Sequence, residues 1–243
     1  MQVWGVTDIG LVRKENQDAY LVRESGGHTI CVVCDGMGGA AGGRLASQIA
    51  TETFVDELER LLAPGMEPEQ LLSVSARAVF AANQAVREAA AESEAYQNMG
   101  TTLVAAVSYA GGTVVTNVGD SRAYHVTREG ITRVTKDHSL VECMVDRGDI
   151  TAEEARRHPS RNLITRALGP DADAQCDGYI CPMESGEYLL LCTDGLVNTV
   201  TDQEMLFEVI HGAEPDTSLD RMLEIAKKQG APDNVTAVLM RKL

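Results

Sequence analysis

Two long amphipathic stretches follow one another with no strand between them, and this pairing limits the folds open to the chain. Arg44–Leu62 carries Leu45, Ile49, Phe54, Leu58 and Leu61 on one face, and Pro68–Ala91 carries Leu72, Ala76, Val79, Val86 and Ala90. That spacing is the stripe a helix buries along one side. β-prone runs precede the pair at Gln2–Thr7, Asp18–Arg23 and His28–Cys34, and follow it at Thr101–Tyr109, Thr113–Val118, Arg122–Thr127 and Ile131–Val134. Residues 138–160 break the pattern with short charged helices, where Ser139-x-x-Glu142 and Thr151-x-x-Glu154 read as capping boxes and Gly148 as a stop between them. Strands return at Asp177–Cys181 and Glu187–Thr193. Thr201-x-x-Glu204 opens a helix to about Ile210, Ser218 opens another that Gly230 ends, and Val235–Leu243 closes the chain as a strand. Sequential helix pairs cannot serve as the crossovers of a parallel sheet. The order therefore predicts an α+β fold, two mainly antiparallel packed sheets with a helix pair outside each, an α-β-β-α sandwich.

No Pro- or Ser-rich linker divides the 243 residues, so residues 1–243 are expected to form a single domain with 138–160 as an insert. Lys and Arg total 21 against 36 Asp and Glu, a formal charge of −15. Such a surface disfavours nucleic acid and anionic lipid as partners. Met1-Gln2-Val3-Trp4 starts no signal peptide, and the uncharged stretch Ala95–Gly119 is too interrupted by Gly100, Ser108, Gly111, Gly112 and Asn117 to span a membrane. Gly111-Gly112 between two β-rich runs reads as a hairpin turn. Cys31-Val-Val-Cys34 has metal-ligand spacing, but in a strand those side chains face opposite sides, and no second close pair completes a zinc site. Reduced thiols in a cytoplasmic protein are the expectation.

The chemistry lies in the aspartates. Asp35-Gly36, Asp120-Ser121, Asp194-Gly195 and Asp233-Asn234 each sit at a strand-to-loop transition, and Asp18 opens a strand. A carboxylate at the tip of a buried strand is costly unless something positive meets it. Any one of these is an ordinary turn residue. Together they suggest one site for hard cations, in which a carboxylate bridging two ions helps to ionise a water and to neutralise a phosphate. Asp35, with Gly36 offering its carbonyl, suits the bridging place. Gly36-Met-Gly38-Gly-Ala-Ala41 also fits a dinucleotide-binding G-x-G-x-x-A, but that fingerprint requires a parallel βαβ unit and an acidic residue ending the next strand. Arg13, five residues before Asp18, is either a phosphate-gripping guanidinium or a surface arginine.

The segments Thr7-Asp-Ile-Gly-Leu-Val-Arg13-x-x-Asn-Gln-Asp18, Asp35-Gly-Met-Gly-Gly39, Met99-Gly-Thr-Thr102, Gly119-Asp-Ser-Arg122, Lys136-Asp-His-Ser139, Asn162-x-x-Thr-Arg-Ala-Leu-Gly169, Thr193-Asp-Gly-Leu196 and Asp233-Asn-Val-Thr236 run through nearly the whole chain. In that order and spacing they resemble the metal-dependent type 2C (PPM family) protein serine/threonine phosphatases of the bacterial type. The resemblance implies a β-sandwich flanked by helix pairs. It implies that Asp35 bridges two Mn²⁺ or Mg²⁺ ions, with the Gly36 carbonyl on one, Asp194 and Asp233 on the other, and Asp18 acting through water. A third, weaker ion would use Asp120 with Asp194. Arg13 would bind the substrate phosphate, residues 138–160 would be the mobile flap beside the active site, and metal-activated water would attack the phosphorus of phosphoserine or phosphothreonine.

The implied partners are phosphoproteins, including a cognate serine/threonine kinase, with the enzyme a monomer. Ala40 and Arg44 depart from the His and Glu found in many bacterial members, and Met37 takes the place of the His of many eukaryotic ones, so no side-chain general acid is assigned. The other reading is a metal-dependent, non-catalytic regulatory module, which loss of ligand aspartates would favour; all are present. Cysteine-based phosphatase chemistry is disfavoured because no cysteine has an arginine six residues later.

Overall fold

The structure, a computed structural model, describes residues 1–212 and 215–243; residues 213–214 and the side chains of Ala40 and Ala41 lie outside the described residues, and so does any consequence of the Ala40 departure. The strands are β1 (Gln2–Asp8), β2 (Asp18–Ser25), β3 (His28–Met37), β4 (Gly100–Thr101), β5 (Leu103–Tyr109), β6 (Gly112–Val118), β7 (Arg122–Thr127), β8 (Gly130–Arg133), β9 (Asp177–Pro182), β10 (Tyr188–Cys192) and β11 (Val235–Arg241). The helices are α1 (Gly39–Leu61), α2 (Pro68–Ala91), α3 (Leu140–Asp146), α4 (Ala152–Arg157), α5 (Asp194–Val197), α6 (Asp202–His211) and α7 (Pro215–Lys228), with a 3₁₀ turn at Glu94–Tyr96.

One sheet has the order β1-β11-β10-β7-β8 and the other β2-β3-β5-β6-β9, with β4 on β3. Every ladder is antiparallel. Alternate residues along the central strands face opposite layers, as the pleat requires. In β3, Ile30, Val32 and Cys34 pack under α1 and α2 with Phe54, Leu58 and Val79, whereas Cys31 and Val33 pack between the sheets with Leu189, Leu191 and Val238. Leu190, Leu239 and Cys192 face Met205, Leu219 and Met222 of α6 and α7. The result is the α-β-β-α sandwich predicted from the helix pairs. Cys31 and Cys34 do lie on opposite faces, and all six cysteines are free.

Several boundaries differ from those read in the sequence. β3 continues to Met37, and α1 begins at Gly39 rather than Arg44. Glycine is a poor helix former, but here the close approach of α1 to its neighbours requires it. A Cβ at Gly42 would meet that of Met99 at 2.9 Å, and one at Gly43 would meet the Gly36 carbonyl oxygen at 2.8 Å. The run Thr101–Tyr109 splits at Thr102, and α7 starts at Pro215, ahead of Ser218. In the β5–β6 hairpin Tyr109 pairs with Gly112, so the turn is Ala110-Gly111. Thr151/Glu154 and Thr201/Glu204 form reciprocal capping boxes. At Ser139 only half of the box forms: the Glu142 N–H donates to Ser139 Oγ at 3.2 Å, while the Glu142 carboxylate accepts from Arg133 Nη2 at 2.9 Å. No described helix is long and apolar enough to cross a membrane.

Candidate active site

Strand ends from both sheets meet at one edge of the sandwich. Asp18 and Asp35 face each other as a register pair of β2 and β3. The backbone of Asp35 is fixed from both sides. Its N–H donates to Thr102 Oγ1 at 2.9 Å, and its carbonyl accepts from the Thr102 N–H and from Thr101 Oγ1, both at 2.9 Å. Thr102 Oγ1 also lies 2.7 Å from Ser121 Oγ, which couples this strap to the turn carrying Asp120. From the other sheet, Asp194 opens α5 directly after β10 and accepts from Asn198 Nδ2 at 3.1 Å. Asp233 immediately precedes the Asn234 that leads into β11. A Cβ on Gly195 would sit 1.9 Å from the Asn234 carbonyl oxygen, so only glycine lets these two loops touch.

Asn234 organises the loop that carries Arg13. Its Oδ1 accepts from the Gln17 N–H at 2.8 Å, and its Nδ2 donates to the carbonyls of Ile9 at 2.9 Å and Glu15 at 3.0 Å. Gly10, with φ 76°, passes so close to Asp233 that a Cβ would lie 2.2 Å from its carbonyl oxygen. Arg13 then grips Asp233 in a two-point contact, Nε to Oδ1 at 2.8 Å and Nη2 to Oδ2 at 2.7 Å. The sequence reading places Arg13 on a phosphate; in this structure its partner is a carboxylate.

Asp35, Asp120, Asp194 and Asp233 line one cleft of about 450 Å³, together with Arg13 and Gly36. Asp18 stands behind them, 9% exposed, with Oδ2 accepting from Thr193 Oγ1 at 3.0 Å and Oδ1 buried without a partner. Burial, reinforced by the charges of Asp18, Asp194, Asp120 and Asp233, pushes the Asp35 carboxyl well above the ordinary carboxylate range. Burial also raises Asp18 to about 7 against the opposing hydrogen bonds of Thr236 and Thr193. It likewise raises Asp120 to about 7, with Asp194 and Asp137 adding to the effect. Asp194 is raised by burial and by Asp233, and hydrogen bonds with Asp35 and Asn198 partly offset this.

An all-oxygen set of crowded, hard-to-ionise carboxylates with an unpartnered oxygen behind it fits Mg²⁺ or Mn²⁺, which take oxygen ligands. Among the described residues no three Asp, Glu, His or Cys side chains stand close enough together to hold a cation as they are. Arg13 holds Asp233.

His138 has a supporting place that the sequence reading did not assign. It is 6% exposed, and its Nδ1 accepts from the Gly119 N–H at 3.1 Å while Nε2 faces Asp177 Oδ2 at 3.1 Å. The contact with Gly119 anchors the turn of Asp120. The short helices α3 and α4 follow, and beyond them the chain brings Asn162 and Ile164 to the cleft wall. Asn234, Thr102 and His138 all lie in the motifs quoted above, but their roles depend on contacts across the sandwich that spacing does not reveal.

Residues 12–240 match the protein phosphatase 2C family. The chain is 32% identical over 237 residues to the serine/threonine phosphatase stp of Listeria monocytogenes, covering 97% of this chain and 94% of that protein. It is 38% identical over 237 residues to the serine/threonine protein phosphatase PstP of Mycobacterium tuberculosis, covering 96% of this chain and 43% of the longer relative. The crystal structure of serine/threonine phosphatase Stp1 from Staphylococcus aureus superposes with a TM-score of 0.94 at 33% identity, covering 100% of this chain and 95% of that one. With a matching sandwich, a family match over residues 12–240 and relatives matched along nearly its full length, the chain belongs to the protein phosphatase 2C family.

Proposed function

We propose that this chain is a metal-dependent protein serine/threonine phosphatase that hydrolyses phosphoserine and phosphothreonine in proteins, among them a cognate serine/threonine kinase. Family membership supports the reaction class. The observation that carries the reading is the cleft itself, where Asp35 is surrounded by Asp18, Asp120, Asp194 and Asp233 with Arg13 at the edge. Asp35 and the Gly36 carbonyl would hold the bridged pair of Mn²⁺ or Mg²⁺ ions with Asp194 and Asp233, Asp18 would act through water, and Asp120 with Asp194 would hold a weaker third ion. When bound, the cations supply neutralisation of the carboxylates and an activated water as nucleophile.

The chain's own residues do the rest. Thr101 and Thr102 hold Asp35 in place through its backbone. Asn234 holds the Arg13 loop, and Arg13, released from Asp233, turns to the substrate phosphate, an anion its planar fork matches in two-point geometry. The shared core between the sheets supports treating residues 1–243 as one catalytic unit. Burial pushes the thiols of Cys181 and Cys192 up to about 11 and about 12, which keeps these two away from the reactive thiolate.

Hydrolysis of p-nitrophenyl phosphate and of a phosphothreonine peptide, with Mn²⁺ and in excess EDTA, tests the reading. Activity is expected only with metal and should resist inhibitors of cysteine phosphatases. Full turnover in EDTA would overturn it.

A further inference from the structure

We propose that Lys14 is a specificity residue that favours substrates with an acidic side chain next to the phosphorylated residue; the proposal rests on the phosphatase reading above. Lys14 lines the cleft together with Arg13, Asn162 and Ile164. Unlike Arg13, which is tied to Asp233, it is exposed and forms no ion pair among the described residues. Arg13 feels the charges of both Asp35 and Asp194 and faces the carboxylate cluster, while Lys14, the next residue, lines the same cleft with its side chain exposed.

This position is well fixed. The Leu11 N–H donates to the Ala231 carbonyl at 2.9 Å, the Gly10 N–H donates to Asp8 Oδ1 at 2.8 Å, and Lys227 Nζ holds Asp8 Oδ2 at 2.7 Å. With Asn234 bonded to Ile9, Glu15 and Gln17, the loop presents its ammonium from a braced backbone. Neighbouring Cα atoms are about 3.8 Å apart, so a phosphorylated residue placed at Arg13 brings its chain neighbour within reach of Lys14. On a protein of net charge −15, an acidic segment meets repulsion nearly everywhere. An unpaired cation at the cleft mouth offsets that repulsion where the substrate enters. The chemistry that suits an ammonium without a partner is a carboxylate or a second phosphate.

The test compares wild type, Lys14→Met and Lys14→Glu, loaded with Mn²⁺, on p-nitrophenyl phosphate and on phosphothreonine peptides with Glu, Ala or Lys beside the phosphothreonine. Wild type should favour the Glu peptide over the Ala peptide in kcat/KM by about two- to fivefold, the range for an exposed ion pair. Lys14→Met should erase that preference, Lys14→Glu should turn it toward the Lys peptide, and neither should alter p-nitrophenyl phosphate hydrolysis. Equal losses on the small ester and on all peptides would overturn the proposal, because Lys14 would then grip the reacting phosphate itself. A preference that survives both substitutions would also overturn it. Fluorescence anisotropy with the same labelled peptides in EDTA reads the flank preference without turnover. A chain inactive on every ester thus refutes the phosphatase reading, while the anisotropy still decides the role of Lys14.

Discussion

Arg13 and Asp233, 220 positions apart in sequence, are joined by two hydrogen bonds of 2.8 and 2.7 Å at the mouth of the cleft. The residue read as the phosphate ligand and a residue read as a metal ligand thus neutralise each other. The pair is partly exposed, with side-chain accessibilities of 55% and 31%, so it contributes little to stability and is readily exchanged. It serves as an internal substitute: a cation in the protein satisfies Asp233, and a carboxylate satisfies Arg13.

Arg13→Ala should lower kcat/KM on p-nitrophenyl phosphate by about ten- to a hundredfold, corresponding to a charge-assisted contact of about 1.5–3 kcal/mol. Since the substitution also frees Asp233, Mn²⁺ affinity measured by calorimetry should hold steady or tighten. An unchanged kcat/KM on the small ester would remove Arg13 from phosphate binding.

Asp35→Asn should abolish turnover and leave the metal-free protein at least as heat-stable as wild type. The folded-state pKa values of Asp35, Asp18, Asp120 and Asp194 are all raised, with Asp18 and Asp120 at about 7. Stability from a raised carboxyl is fully present below its unfolded value and is lost as pH climbs through the folded one. The metal-free wild type should therefore melt at progressively lower temperature as pH rises from about 4 through about 7. Mn²⁺ should restore the loss by mass action in wild type and have little effect on the variant. Melting curves in EDTA and in Mn²⁺ decide this, and an EDTA-treated variant that melts well below wild type would make Asp35 a structural turn residue.

Asp120→Ala should reduce activity without unfolding the protein, because its turn is held independently by His138 and by the Thr102–Ser121 contact. Calorimetry should still register a bound ion pair; loss of all metal binding would contradict the assignment of Asp120 to a separate, weaker position.

Asn234→Ala should damage stability and catalysis together. It removes three hydrogen bonds at a site 5% exposed and leaves the Gln17 N–H without its acceptor. A loss of about 2–4 kcal/mol is expected. Activity on p-nitrophenyl phosphate should fall about as far as for Arg13→Ala, since the guanidinium loses its braced loop. A variant with wild-type melting and wild-type kcat/KM would show that the loop is held by other contacts.

The layering of the fold was legible because the helix pairs carry clear apolar stripes and the central strands are continuous β-branched runs. Strand tips could be placed because Asp-Gly, Asp-Ser and Asp-Asn pairs punctuate them. The start of α1 was not legible: Gly39, Gly42 and Gly43 argue against helix locally, and only the positive φ of Gly39 and the contacts of Gly42 with Met99 and of Gly43 with Gly36 explain them. Helix α5, Asp194–Val197, is one turn long and shows no periodicity. The aspartates of the cleft could be listed from their settings, but the grip of Arg13 on Asp233 and the bracing by Asn234 join residues more than two hundred positions apart. Local pattern does not report such contacts.

The carboxylates are supplied from opposite sides of the interior: Asp18 and Asp35 come from one sheet, and Asp194 and Asp233 from the ends of strands in the other. The candidate site is thus a joint between two slabs, and its dimensions depend on how Cys31, Val33, Leu189, Leu191 and Val238 fill the seam. A side chain one methylene larger or smaller at any of these positions would work like a shim, changing the gap at a distance from the chemistry. Tuning of this site is therefore open to apolar substitutions that never meet the substrate.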